Sequence, residues 1–314
     1  MIPSASKARF LMCRPDHFGV TYAINPWMDP QSWARADRSL VAASRREWAA
    51  LHRALRQEGA AIELVPPAAG LPDLVFTANA AVVLDRKALL ARFRHPQRQP
   101  ESPHFEAAFL GLQARGLIDT VTRLPNDLVL EGAGDCVWDE TRNVFWMGYG
   151  PRSDAAARDA VKDVFGADVV ALELADPRFY HLDTAFCPLS RGEVLIVPGA
   201  FTPAGQAAIR ERIPALQRIE VAIEDACALA ANAVCLGDAI VMSRCGERLR
   251  GALAERGYGV VTTGLTAFLR SGGAAFCLTL RLDRQSAAGV GGSLSDVQPV
   301  QMLERLGGLG FRPM

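Results

Sequence analysis

Four segments of this chain open in the same way, about fifty residues apart. Each begins with a small-polar turn and runs through an apolar strand, a hairpin built on Asp, Gly, Arg or Asn, and a second apolar strand. They are FTANAAVVLDRKALLARF, GDCVWDETRNVFWMGYG, LDTAFCPLSRGEVLIVPG and ANAVCLGDAIVMS. Helical stretches follow, SDAAARDAVKDVFG, TPAGQAAIRERI and RLRGALAERG among them, and a shortened fifth copy, GGAAFCLTLRL, comes last. Asn79, Asp135, Asp183 and Asn232 hold equivalent places, separated by 56, 48 and 49 residues. A period near fifty means a repeat architecture, and here every unit holds strands as well as a helix.

The last copy lacks a helix and a second hairpin strand. The N-terminal ARFLMCRPDHFGV is therefore expected to complete it and close a ring. The expected fold is α/β, a five-bladed α/β propeller with pseudo-fivefold ββαβ repeats. Units that bury their apolar faces on one another cannot be cut apart, so one domain is expected over residues 8–285. Beyond it, residues 286–314 turn to Gly and Ser and read as a tail or small appendage; the GVGG within them follows no strand-to-helix frame and is not read as a nucleotide loop.

Composition narrows the partners. Lysine and arginine number 34 and so do aspartate and glutamate, which removes the electrostatic footprint of a nucleic-acid binder or a polybasic membrane protein. A small-molecule substrate is the expectation, with no nucleic acid and no membrane; homo-oligomerisation is left open. No apolar run approaches the roughly 18 residues needed to span a bilayer, and the start is too short in apolar residues for a secretory signal, so the chain reads as cytoplasmic. Seven scattered cysteines without CxxC spacing indicate neither a disulfide framework nor structural zinc. The five histidines include no HxxxH pair, so no metal and no cofactor is expected.

In a closed ring, the start of each unit's first strand points into a central channel. Polar residues there converge from distant positions: Asn79, Glu131 and Asp135, His181 and Asp183, Asn232, and Cys277. Alternation along a strand would turn His181 and Asp183 of YHLDTAF to the channel and Leu182 into the blade. LEGAGDCVW places Glu131 and Asp135 around two glycines that permit a tight turn. Each piece has a plain reading of its own: an edge histidine, an acidic turn, a small buried cysteine. Together they form the ingredients of nucleophilic catalysis on a cationic carbon.

As an ordered set, EGAGD, HLDT and the near-terminal GGAAFCLTL resemble the guanidino-group-modifying enzymes, or penteins, over nearly the whole chain. That superfamily includes arginine deiminase, dimethylarginine dimethylaminohydrolase and the amidinotransferases. The resemblance implies the five-bladed propeller and makes Cys277 the nucleophile and His181 the proton carrier, with Glu131 supporting the histidine or the guanidinium. A thiolate would add to the guanidinium carbon, expel an amine and leave an S-alkylthiouronium for water to hydrolyse. Asp183 and Asp135 suit the guanidinium because two carboxylate oxygens match its N–H fork. Arg98, on a loop that is mobile in relatives, and Arg152 match positions that bind a substrate carboxylate; without the resemblance both would read as surface arginines. Asp73 is assigned to the substrate's α-ammonium. The other six cysteines are expected to be packing residues.

Deiminases show FTRD where this chain has FTAN, so Asn79 stands in place of a carboxylate, and YAINPWMD adds a second amide, Asn25. Both features resemble the arginine dihydrolases, catalytic domains of cyanobacterial bifunctional proteins that yield ornithine, ammonia and carbon dioxide. An amide both donates and accepts, and so can hold a neutral ureido intermediate for a second attack. The leading expectation is a cofactor-free arginine dihydrolase. Its alternatives are dimethylarginine dimethylaminohydrolase or arginine deiminase, then an amidinotransferase, and a non-enzymatic propeller that binds amino acids or protein partners.

Overall fold

The hairpins expected from the sequence are present, and each gains a third strand by a helical crossover. The computed structural model describes residues 8–292. In chain order these begin with β1 (Arg9–Cys13), α1 (Pro30–Gln57) and β2 (Ala61–Val65). Next come β3 (Ala81–Leu84), β4 (Lys87–Leu90), α2 (Ser102–Ala114) and β5 (Thr120–Arg123). The third group is β6 (Cys136–Asp139), β7 (Val144–Tyr149), α3 (Ala157–Phe165) and β8 (Asp168–Glu173). The fourth is β9 (Phe186–Pro188), β10 (Val194–Ile196), α4 (Pro203–Arg212) and β11 (Arg218–Glu220). After the short α5 (Ile223–Ala226), the fifth is β12 (Val234–Leu236), β13 (Ala239–Met242), α6 (Glu247–Ala254) and β14 (Gly259–Thr262). The short α7 (Thr266–Leu269), β15 (Leu280–Arg281) and α8 (Ala287–Gly292) complete the described residues.

These strands make five three-stranded sheets: β3-β4-β5, β6-β7-β8, β9-β10-β11, β12-β13-β14 and β15-β1-β2. In each, the middle strand pairs antiparallel with the first and parallel with the third, as in Ala81↔Leu90 and Leu89↔Thr122. A parallel partner cannot be reached by a tight turn, which is why a helix intervenes in every unit. The fifth copy is completed as the sequence suggests. β1 pairs with β15 in the register Phe10↔Arg281 and with β2 from Arg9↔Ala61 to Cys13↔Val65.

Local chemistry explains the elements. Asp85 and Arg86 both take positive φ, 50° and 58°, in the two-residue turn between β3 and β4. That geometry matches the right-handed twist of the flanking strands. β3 and β6 are buried along their full length, so they read as continuous apolar runs rather than alternating ones. The 28-residue α1 has no counterpart among the expected helices. Pro30 fills its first turn, and Asp29 caps it by accepting from the N–H groups of Gln31 and Ser32. Ser44, Trp48, Leu51 and Leu55, spaced by four, three and four, form its buried stripe.

Residues 286–289 are docked rather than free. Ser286 donates from its N–H and Oγ to Asp85, and the Ala287 N–H reaches Asn143 Oδ1 at 2.7 Å. The rest of the expected tail, residues 293–314, lies outside the described residues.

Candidate active site

The polar residues at the unit starts sit on 3-10 turns rather than in strands. Thr77–Ala80, Gly132–Gly134 and Leu182–Thr184 each make one such turn, and Cys277 lies in a turn closed by Leu278 N–H to Ala274 O just before β15. The expected strand alternation of His181 and Asp183 is therefore corrected. His181 is extended, Asp183 belongs to the turn, and β9 starts only at Phe186. The cause is a pair of hydrogen bonds: Asp135 Oδ1 accepts the Leu182 N–H from the preceding unit, and Thr184 Oγ1 donates to His181 O. Turns so placed allow very close packing. A Cβ on Gly134 would lie 2.2 Å from Asn79 Nδ2, so any side chain there would have to displace the Asn79 amide.

Two clusters result. In the first, Cys277 Sγ donates to Asp183 Oδ2 at 3.1 Å and accepts from Asn232 Nδ2 at 3.0 Å, while Asn232 Oδ1 accepts the Cys277 N–H. Burial, then the Asp183 charge, pushes the thiol well up. Asp183 is pushed up to about 7 by burial, against hydrogen bonds from Cys277 and Asn232. Its other oxygen, Oδ1, is buried with no partner among the described residues. An acceptor left so costs about 1 to 3 kcal/mol unless something fills it.

In the second cluster, Glu131 Oε2 accepts from His181 Nε2 and from Arg152, both at 2.9 Å, and Oε1 accepts the Arg94 N–H. Burial opposes ionisation of Glu131, but Arg152, His181 and Arg98 override it and hold the carboxyl well below the usual range. The Ser153 hydroxyl accepts the Glu131 N–H and donates to Asp135 at 2.6 Å. Asp135 is itself pushed up to about 6 by burial, against His181 and Ser153. With Nε2 committed to an ionised carboxylate, His181 has only Nδ1 left to exchange a proton.

Arg98 and Arg152 are not surface side chains; they are 3% and 2% exposed. Nor is Arg98 carried on an open loop. It makes a fork to Glu101, donates to Asn79 Oδ1 at 2.8 Å and to Asp73 O, and lies over the Phe93 ring. Arg152 lies over Tyr180 and donates to Ile24 O. Asp73 accepts from Tyr22 and Ser271, and burial raises it against the pull of Arg98. Asn25 donates to Ser271 O and accepts from the Trp27 N–H. Asn25, Asp73, Asn79, both arginines and Cys277 line one cavity of about 250 Å³. The segment 22–27 covers it, pinned by Tyr22 to Asp73, Asn25 to Ser271 and Trp27 Nε1 to Arg178 O.

Of the candidates named from the sequence, these six line the cavity; Asp183 and Asn232 touch it through Cys277, Glu131 and His181 stand behind Arg152, and Asp135, expected at the guanidinium, instead spends both oxygens on the Leu182 N–H and Ser153. Glu101 was not named, although its i+3 spacing from Arg98 is a signal; Ser153, Tyr180 and Tyr22 carry none. Among the other cysteines Cys13, Cys136, Cys187 and Cys235 are buried, but Cys227 is exposed and is not the packing residue expected. Among the described residues, no group of three or more His, Cys, Asp or Glu is disposed to hold a metal ion, and no helix is long and apolar enough to cross a membrane.

The raised Asp183 carboxyl has a thermodynamic consequence. Folding favours its neutral form, a contribution fully present below about pH 4 and lost as pH rises through about 7. Asp183→Asn removes that titration at nearly constant size. The variant's margin in unfolding free energy over wild type, and with it the Tm difference, should widen from about pH 4.5 to about 7.5 and then level, the free-energy margin reaching at most about 4 kcal/mol. Thermal melts across that range check it, and a margin that stays flat means the carboxylate is ionised throughout.

The chain matches the family described as N,N dimethylarginine dimethylhydrolase, eukaryotic, over residues 14–284. The bifunctional arginine dihydrolase/ornithine cyclodeaminase ArgZ of Synechocystis sp. is 45% identical over 278 residues, which are 88% of this chain and 38% of that protein. The chain therefore spans well under half the length of that relative. The N(G),N(G)-dimethylarginine dimethylaminohydrolase of Mycobacterium tuberculosis is 35% identical over 274 residues, 87% of this chain and 85% of the other. A crystal structure of the N-terminal domain of ArgZ, a serine mutant bound to substrate and described as an arginine dihydrolase from the ornithine-ammonia cycle in cyanobacteria, is 43% identical. It superposes with a TM-score of 0.83 over 89% of this chain and 99% of that one.

Proposed function

Because the chain belongs to the dimethylarginine dimethylaminohydrolase family, we propose that it hydrolyses the guanidino group of free arginine in two rounds, as an arginine dihydrolase, giving ornithine, two ammonia and carbon dioxide. The observation that carries this reading is the unpartnered Asp183 Oδ1 beside the Cys277 thiol. A guanidinium whose planar fork meets Asp183 would satisfy that oxygen and bring its central carbon to the sulfur. The cation would also reverse the local electrostatics, favouring thiolate where the empty site favours thiol. In the same cavity, Arg98 and Arg152 offer positive charge to the substrate carboxylate, and Asp73 offers an acceptor to its ammonium.

In the first round the thiolate bonds to the guanidinium carbon and the thiol proton passes to His181. His181 returns it to the departing ammonia, leaving an S-alkylthiouronium. Water, deprotonated by His181, adds to that carbon, and the C–S bond breaks to give citrulline. In the second round the thiolate attacks the ureido carbon, a second ammonia leaves, and a second water frees the thiol. The resulting N-carboxylate loses carbon dioxide to give ornithine. Arg152 keeps Glu131 ionised, and Glu131 keeps the His181 ring oriented for each transfer. The five sheets are read here as blades of one closed ring over residues 8–285, acting in the cytoplasm without cofactor.

Asn79 is assigned the choice between one round and two. Its Oδ1 is engaged by Arg98 and one Nδ2 proton by Glu131 O, so the remaining N–H is what it can offer a ureido oxygen. Asn79→Asp removes that donor and adds charge. Citrulline should then be released rather than consumed, with a bias of roughly ten- to hundredfold from a lost hydrogen bond of about 1 to 3 kcal/mol. Incubation with arginine, citrulline and asymmetric dimethylarginine, with product identification, tests both claims. Wild type should form ornithine and two ammonia per arginine, and the variant citrulline and one. If wild type stops at citrulline the dihydrolase reading fails. If it releases dimethylamine far faster than ammonia, the reading suggested by the Mycobacterium tuberculosis relative replaces it.

A further inference from the structure

A second concave site lies behind the loop that carries Arg98, and nothing in the reaction uses it. This groove has about 1180 Å³ of empty volume including its open mouth, against about 250 Å³ for the catalytic cavity. Three arginines line it, Arg92, Arg94 and Arg123, with Glu106 as the one acidic residue of the lining. Arg123 pairs with Glu106, and Arg94 with Asp154 at 2.6 Å. Arg92 has only the neutral amide of Asn126, and among the described residues no carboxylate comes within salt-bridge distance of it. A guanidinium carries five N–H donors, yet each of these three spends a single terminal nitrogen on the protein. The Nε atoms of Arg92 and Arg94 are buried and without partners. A half-buried cation with no counter-charge is unfavourable, and what relieves it is an anion that fits several forks at once. Leu90, Leu124 and Val129 supply an apolar part of the same wall.

We propose that this groove binds a small, multiply charged organic oxyanion, its charged head on Arg92, Arg94 and Arg123 and its carbon frame against the apolar wall. The site is distinct from the catalytic cavity yet adjoins its machinery. Arg92 pairs through its backbone with Leu130, the residue before Glu131, and the Arg94 N–H is a donor to Glu131 itself. Phosphoryl and carboxylate heads share the chemistry that three guanidinium forks recognise.

Isothermal titration at fixed ionic strength, with inorganic pyrophosphate in one arm and citrate in the other, tests the site, since simple screening is then constant. The expected result is saturable one-site binding with Kd below about 1 mM, and the tighter arm identifies the head group. Arg92→Gln combined with Arg123→Gln should weaken binding at least about tenfold while leaving turnover of arginine in the absence of added anion unchanged. Arg123 alone, 76% exposed, gives a variant that folds whatever the role of Arg92, and Arg123→Gln should weaken binding in the same direction. No saturable binding in either arm overturns the proposal. So does binding unaffected by these substitutions, which would put the anion on Arg98 and Arg152 in the catalytic cavity.

Discussion

Cys277→Ser is expected to lose turnover of arginine by about 10⁴-fold or more while still binding it, the scale seen when a covalent nucleophile is removed. A serine hydroxyl at this place meets the same Asn232 amide and the same Asp183 oxygen, so the cavity keeps its shape. It cannot ionise when a guanidinium arrives, and the thiol can. Titration calorimetry should therefore show arginine binding within about tenfold of its affinity for the wild-type site, measured against a rate near background. Binding lost along with turnover would make Cys277 a structural residue, and turnover near wild type would remove the covalent route. Labelling gives an internal control. Cys227 is exposed, so a thiol reagent should modify it first without loss of activity, and inactivation should follow slowly and be suppressed by bound ligand.

His181→Ala should reduce kcat by roughly 10²- to 10⁴-fold at every pH, the usual contribution of a positioned proton carrier. The whole second cluster exists around this ring: Arg152 holds Glu131 ionised, Ser153 ties Glu131 to Asp135, and Asp135 fixes the turn that follows His181. Three elements thus converge on one imidazole. His104 lies exposed on α2, and His104→Ala should be indistinguishable from wild type. Glu131→Gln separates orientation from proton transfer, because it keeps a hydrogen-bonding side chain but removes the charge facing the ring. It should lower kcat less than His181→Ala and shift the pH profile. Equal loss in the two with an unmoved profile would assign Glu131 a merely structural part.

Much of this arrangement was legible because hairpin chemistry is local. Asp85 and Arg86, with strands that are apolar throughout, declare a two-residue turn between buried strands, and repetition then gives the unit. The third strands and α1 were less visible. β5 and β14 are short and have no fully buried residue, so no periodicity marks them. The turns that open the units are legible in the sequence, but the one at His181 and Asp183 reads as strand because what bends it is not local. The Leu182 N–H donates to Asp135, 47 positions earlier, and no window around HLDT contains that acceptor. The same holds for the arginines. Alone, Arg98 reads as a surface residue; only Glu101, Asn79 and the Asp73 carbonyl, brought together by the fold, make its burial tolerable.

The pairing of β1 with β15 also bears on how the protein is made. The Arg9 N–H reaches Asp283, 274 positions away, so of the five sheets the one that holds β1 is the last whose strands are all synthesised. Contacts of such long range are slow to form. Cys277 sits just before β15, in the very segment that completes this sheet, and its partners Asp183 and Asn232 come from two earlier units. Until that segment is synthesised and docked, Cys277 cannot meet Asp183 and Asn232. The sheet and the thiol cluster are thus closed by one and the same segment, and a single docking step completes both.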